Sequence, residues 1–323
     1  MDGTERLIPL QTIPVVSLQD YLQGGPATRT RFIETLGDAL VDLGFFALDE
    51  HLIDAKLIDQ AYGQAQALFD LPESRRRAYE DPSVAGQRGY TSFGREHARD
   101  TRAPDLKEFW HVGRELDADP RSHALPYRNV WPSELAEFRS TMNQLFMQLD
   151  QTAMVLLEAC SIYMGEAPHF LPDLATYGDS ILRIIHYPPV PEDRNPNSIR
   201  ASAHEDINLI TLLCEATAGG LELLQRDGQW RPIHALGGQI VVDSGDMLQH
   251  ISNRLYKSTT HRVVNPYNSR ERRFSMPFFV HPRPEVELTP RLSSVDRTGG
   301  QALYPERTAG QYLMERLREI GLM

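Results

Sequence analysis

Metal chemistry is open to residues at two places in this chain: His204-Glu205-Asp206, and His261 within Thr260-His261-Arg262-Val263. Side chains two apart on an extended segment share a face. The spacing therefore predicts His204 and Asp206 pointing together, with Glu205 turned away. A histidine from a facing strand would complete two imidazoles and one carboxylate. That set covers one face of an octahedral iron(II) and leaves the opposite positions open, as O₂ chemistry needs; a closed four-ligand site would be structural. Taken alone, a His-x-Asp pair also suits a solvated turn, and a single histidine such as His261 also suits a partly buried ring bonded to backbone. The chain has 11 histidines. His186, His234, His250 and His281 compete for the third place, although the spacing around His250 suits packing.

A second pair, Arg273 and Ser275, points to an anion. An arginine fork meets a carboxylate through two parallel charge-assisted hydrogen bonds, and a serine two residues on shares its strand face. Phe274 and Phe278-Phe279 mark the strand as buried. A buried guanidinium is costly unless an anion meets it, so a carboxylate-bearing ligand is expected. The competing reading is a surface hairpin, because four arginines fall between residues 262 and 273.

These residues need a scaffold, and composition bounds it. The chain has 323 residues, 24% charged and 41% apolar, with a formal net charge of -11. No Lys/Arg block offsets that charge, which argues against nucleic acid or an anionic membrane as partner. An anionic small molecule stays possible, since a few buried arginines can reverse the local field. Cys160 and Cys214 lie in apolar runs without zinc or Cys-x-x-Cys spacing and read as buried, reduced thiols. No secretory signal pattern opens the sequence and no run of 18 apolar residues occurs, so a cytoplasmic protein is expected.

The pattern predicts a strand over 13–18, a helix over 28–43 stopped by Gly44, a strand over 45–48 and a helix over 54–69. A short helix follows Pro72. The polar, glycine-containing stretch 81–104 reads as a loop over a site, followed by a strand over 107–112. Trp131-Pro132-Ser133 is expected to open a long helix reaching Tyr163. Short β-branched or apolar segments near 181–187, 207–214, 221–225, 239–242, 258–264 and 272–280 then alternate with turn residues, which indicates a sandwich or barrel. A helix over 309–320 closes the chain. No internal repeat or low-complexity tract is evident.

Within this layout a longer pattern resembles the isopenicillin N synthase-like branch of the iron(II)/2-oxoglutarate-dependent dioxygenases. It runs through Ile13-Pro14-Val15-Val16, Leu43-Gly44-Phe45-Phe46, the segment Leu182 to Pro188, His204-Glu205-Asp206, Gly219-Gly220-Leu221-Glu222-Leu223, Gly245-Asp246-Met247-Leu248-Gln249, Ser252 to Val263, and Arg273 to Phe279. Two departures stand out: Ile185 replaces the family's asparagine, and His186 fills a position that is often aromatic. The loop 265–272 is also longer than in plant members.

The resemblance implies a mainly β fold with helices: a double-stranded β-helix (jelly roll) core, N-terminal helices, a long central helix and a C-terminal helix. It divides the chain into an N-terminal region, 1–120, and a catalytic region, 121–323, forming one cooperative unit. It implies Fe(II), 2-oxoglutarate and O₂ as cofactor and co-substrates. His204, Asp206 and His261 become the iron ligands, and Arg273, Ser275 and Tyr187 bind the far carboxylate of 2-oxoglutarate. The implied reaction oxidises, foremost hydroxylates, a C–H bond of a small molecule with release of succinate and CO₂; desaturation and ring closure are variants. No side-chain nucleophile or other catalytic residue beyond the metal centre is expected. Arg88, Tyr90 and Phe93 of the 81–104 loop, with Tyr312 and Arg316 of the last helix, are candidates for substrate contact. Lys107-Glu108-Phe109-Trp110-His111 matches a common family segment and reads as packing and internal salt bridging. Three other readings compete: an oxidase of the isopenicillin N synthase type that uses no 2-oxoglutarate, a non-catalytic jelly-roll binding protein, and a zinc hydrolase.

Overall fold

A computed structural model describes residues 13–323 other than 100, 102, 116–126, 215, 234–236 and 266–269. His234 and residues 266–269 of the 265–272 loop therefore lie outside the described residues.

Two sheets form the core. The larger has eight strands in the order β1 (Val15–Ser17), β2 (Phe45–Asp49), β10 (Ile240–Ser244), β7 (Ile210–Cys214), β12 (Arg273–Val280), β5 (Ile181–Tyr187), β4 (Glu108–Gly113) and β3 (Gly89–Thr91). The smaller has β6 (Ala201–His204), β11 (His261–Val263), β8 (Leu221–Leu224) and β9 (Trp230–Pro232). Their inner faces enclose a cavity lined from both sheets, the jelly-roll core that the family resemblance implies. The larger sheet draws strands from both sides of residue 120.

Helices α2 (Pro26–Asp42), α3 (Ala55–Asp70) and α5 (Phe138–Met164) cover the outer face of the larger sheet. Local chemistry sets their ends. The Asp54 side chain caps α3 by accepting from the Lys56 N–H at 2.9 Å. After α2 the chain turns at Gly44, whose φ is +73°; a Cβ there would approach the Lys257 carbonyl to 2.3 Å, so only glycine fits. Helix α9 (Ala309–Glu319) opens with a reciprocal Thr308–Gln311 capping box and lies over the cavity mouth. Among the described residues, no helix is long and apolar enough to cross a membrane.

Several expectations shift. The first strand stops at Ser17 and continues as a short helix, α1 (Leu18–Leu22). The long helix starts at Phe138, not near Pro132. Ahead of it run two tight turns, with Leu135 N–H bonded to the Pro132 carbonyl and Phe138 N–H to that of Leu135, while the Ser133 N–H bonds the Tyr79 hydroxyl at 2.9 Å. The 81–104 stretch carries β3, a three-residue strand paired with β4. Strands β6 and β9 and helix α7 (Asp246–Ile251) went unseen in the pattern, each being too short to establish a period.

Candidate metal and co-substrate site

His204 ends β6, and Asp206 lies in the turn beyond it. The two residues are therefore not neighbours on one strand face, as the spacing predicts; the strand stops between them and the turn brings the carboxylate round. His261 opens β11 directly opposite His204 in the antiparallel register. The Asp206 Oδ1 lies 3.7 Å from Nε2 of each histidine, and one ligand atom from each of the three lies within 4.8 Å of the others.

The tautomers are set by backbone. His204 Nδ1 meets the Ser202 carbonyl at 2.7 Å and His261 Nδ1 the Thr259 carbonyl at 3.1 Å. A carbonyl only accepts, so each Nδ1 carries the proton and each Nε2 presents a lone pair. Burial, and then the neighbouring His261, lowers the His204 pKa to about 4, keeping this ring neutral and ready to ligate. The Thr211 hydroxyl donates to the second oxygen of Asp206. Glu205 turns away and accepts from Thr260. Asp243, buried on β10 on the same cavity wall, has its pKa pushed well up by burial and by the charge of Asp206.

The competing histidines separate cleanly. His186 faces the helices, its Nδ1 bonded to Glu108 at 2.8 Å and its Nε2 accepting from Arg272 at 3.0 Å. His250 stacks on Tyr304 at 4.1 Å. His281 lines the outer part of the cavity but is not in the cluster.

From the triad the cavity runs inward to Arg273, Ser275 and Tyr187. Arg273 sits opposite Tyr187 and Ser275 opposite Ile185 in the β12–β5 register. The Arg273 side chain is 2% exposed, its Nε fixed to the Ala218 carbonyl at 2.9 Å and its Nη1 buried without a partner. Ile185, where the family carries an asparagine, also lines this wall. Arg200, which the sequence did not single out, is 1% exposed and close by: both guanidinium carbons lie near the Tyr187 ring, at 5.8 Å and 4.9 Å. Its pKa is lowered by burial and by the charge of Arg273. Among the described residues neither arginine has a carboxylate in salt-bridge range. Two buried cations without a counter-charge fit a bound dianion such as 2-oxoglutarate.

Outward from the triad, a wider cavity is lined by Lys107, Arg183, Glu96, His111 and His281, and is roofed by Leu313, Arg316, Leu317 and Ile320 of α9 and the residue that follows it. The structure brings none of Arg88, Tyr90, Phe93 and Tyr312 to this lining. Arg88 is fully buried against Asp179, the Tyr90 hydroxyl donates to Glu108, Phe93 is 39% exposed, and the Tyr312 hydroxyl donates to Asp246 at 2.6 Å. Arg316 does line it. Lys107 and His111 come from the segment read as packing. Its alternation was the available signal, since Lys107, Phe109 and His111 share one face.

Two family models match the chain: the non-haem dioxygenase N-terminal region of morphine synthesis over residues 13–134, and the 2OG-Fe(II) oxygenase superfamily over residues 178–282. A proline hydroxylase of Petromyces alliaceus is 31% identical, covering 92% of this chain and 96% of that one. A 2OG-Fe(II) oxygenase family protein of Caulobacter crescentus superposes with a TM-score of 0.83 at 38% identity, over 95% of this chain and 99% of that structure. A full-length Neurospora crassa protein in complex with alpha-KG and thymine gives a TM-score of 0.83 at 28% identity, over 95% and 96%. These relatives favour neither the oxidase without 2-oxoglutarate nor the non-catalytic binding protein. With a His-Asp-His cluster at the mouth of a jelly roll and a buried arginine at its end, the chain belongs to the 2OG-Fe(II) oxygenase superfamily and is a non-haem iron(II), 2-oxoglutarate-dependent dioxygenase of a small-molecule substrate.

Proposed function

We propose that His204, Asp206 and His261 hold the iron, that Arg273, Ser275 and Tyr187 bind the far carboxylate of 2-oxoglutarate, and that the outer cavity takes a substrate that is hydroxylated there. The observation that carries this reading is the alignment of one continuous lining: three convergent ligand atoms, an inner end closed by a guanidinium with an unpartnered buried nitrogen, and an outer chamber under α9. Iron(II) with 2-oxoglutarate supplies O₂ activation and the oxidising power for C–H cleavage, releasing succinate and CO₂.

The protein's own groups do the placing. Ser202 and Thr259 carbonyls orient the two imidazoles, and Thr211 orients Asp206. Ala218 holds the Arg273 fork toward the cavity end. Leu313, Leu317 and Ile320 exclude water from the outer chamber. The relatives are named for different substrates, so the substrate here is best read from the cavity itself. A cytoplasmic setting is supported by the two buried, unpaired cysteines.

The test is anaerobic addition of iron(II) and then 2-oxoglutarate, watching for the weak visible metal-to-ligand charge-transfer band. Asp206→Ala should abolish the band. Arg273→Leu should keep iron binding and raise the 2-oxoglutarate concentration for half-formation about 10–100-fold, as expected for losing charge-assisted hydrogen bonds of roughly 1.5–3 kcal/mol. An unchanged 2-oxoglutarate requirement in Arg273→Leu would remove the carboxylate assignment.

A further inference from the structure

The outer cavity has a charged wall that the reaction as described does not use. Lys107 Nζ bonds Glu96 Oε1 at 2.7 Å and Asp105 Oδ2 at 2.9 Å. Arg183 Nη1 bonds the same Glu96 oxygen at 3.2 Å, and its Nε donates to His111 Nε2 at 2.6 Å. All four charged side chains are buried or nearly so. Lys107 and Arg183 line both the triad cavity and the outer chamber, so this quartet stands at the junction where a substrate must sit.

Two cations meet two carboxylates, and the quartet is neutral as a unit. The protonation states agree with that count. Burial alone would raise the Glu96 pKa, but the charges of Arg183 and Lys107 pull it well down. Burial would lower that of Lys107, but Asp105 and Glu96 push it up. Among the described residues the rim adds no surplus, since Arg316 and Arg99 share Glu319, at 2.8 Å and 3.5 Å, and Glu205 lies beside them. Further in, with iron and a 2-oxoglutarate dianion bound, the charges of iron, Arg273 and Arg200 would be set against those of Asp206 and the dianion. The charge left over would be positive and would lie with the two arginines beside Tyr187. Among the described residues nothing on the quartet wall is left to neutralise a charged guest, and burying an unpaired charge is expensive.

Hydrogen-bonding capacity does remain. Arg183 is locked in one pose, its guanidinium 4.3 Å from the Phe109 ring and 5.2 Å from that of Phe279, which leaves its Nη2 edge. Lys107 keeps one N–H, and Glu96 Oε2 is buried without a partner. Donors and an acceptor thus share one wall.

We propose that this quartet selects an uncharged, small substrate carrying a carbonyl next to an N–H or hydroxyl, an amide, lactam or imide edge, and discriminates against carboxylates and ammonium ions. The carbonyl meets Arg183 and Lys107, and the donor meets Glu96. This rests on the dioxygenase reading of the adjoining triad.

The experiment uses the anaerobic enzyme loaded with iron(II) and 2-oxoglutarate, so that band formation tests the triad before any substrate is added. Matched probes follow: uracil against orotate, and 2-piperidone against 6-oxopiperidine-2-carboxylate. A neutral member should shift the band or stimulate succinate release in air, with its charged partner at least about tenfold weaker, a difference of roughly 1.4 kcal/mol. Charged members acting as strongly as neutral ones, or both neutral members failing while the band forms, would overturn the proposal. Glu96→Gln leaves one surplus positive charge and should move the orotate-to-uracil ratio toward orotate. Lys107→Gln leaves a surplus negative charge and should move it the other way. Ratios that stay put in variants that still form the band would equally refute it.

Discussion

The two faces of the larger sheet are made by the same strands and do opposite work. On β12, Phe274, Met276, Phe278 and Val280 face the helices and belong to the main apolar core, while Arg273, Ser275, Pro277 and Phe279 face the cavity. On β7, Leu212 packs outward and Thr211 and Leu213 inward; on β10, Val242 outward and Val241 and Asp243 inward. The outer face repays the cost of folding by burying apolar surface. The inner face holds buried polar groups that are costly in isolation and useful to a bound ligand. Stability and function are therefore separated by the period of two along each strand.

Substitutions on the two faces should part company. The largest effect is expected from Asp206→Ala, with the charge-transfer band and turnover lost while the urea midpoint stays near that of the parent. Its counterpart is Phe278→Ala on the outer face, fully buried and edge-on to Phe146 at 4.9 Å. That change should cost about 3–5 kcal/mol in urea unfolding, yet the folded fraction should still form the band. A reversal of the two outcomes would break the comparison.

A smaller, sharper test is Thr211→Val, which keeps shape and removes the hydroxyl donated to Asp206. Iron affinity should fall about 10–100-fold, measured by competition with a chelator, while unfolding loses only about 1–3 kcal/mol because the buried Asn208 amide loses its acceptor. The smallest effect concerns pH. Glu108 sits on the outer face among His186, Tyr90 and Arg76. Burial would raise its pKa, but the hydrogen bonds from His186 and Tyr90 and the Arg76 charge bring it below the usual value. A carboxylate depressed in the fold stabilises above its unfolded pKa, and that contribution is lost as pH falls through the folded value. The stability gap between the parent and Glu108→Gln should therefore be widest near neutrality and close below about pH 4, while the neutral-pH band is the same in both.

The fold was legible wherever a period ran long enough. Helices α2, α3 and α9 and strands β5 and β12 fall close to where the pattern puts them. Strands of three or four residues such as β6 and β9 were not, because two alternations do not make a period. The candidate ligands and the Arg273–Ser275 pair were named from residue type and from resemblance. The wall of the outer chamber, Arg316 apart, was not, and Arg88 and Tyr90 illustrate why. Each is a polar residue in a glycine-containing stretch, and each is drawn inside by a carboxylate elsewhere in the chain, Asp179 and Glu108.

The amino-acid order alone settled which groups could bind a metal and a carboxylate, since side-chain chemistry and strand alternation are local properties. Tertiary structure decided which of them meet. The pairing of His261 with His204, the turn that brings Asp206 beside them, and the neutral quartet of Glu96, Asp105, Lys107 and Arg183 all depend on strand register and burial. Those are set by packing between segments far apart in the chain, where a charge is tolerated only if its partner arrives from elsewhere.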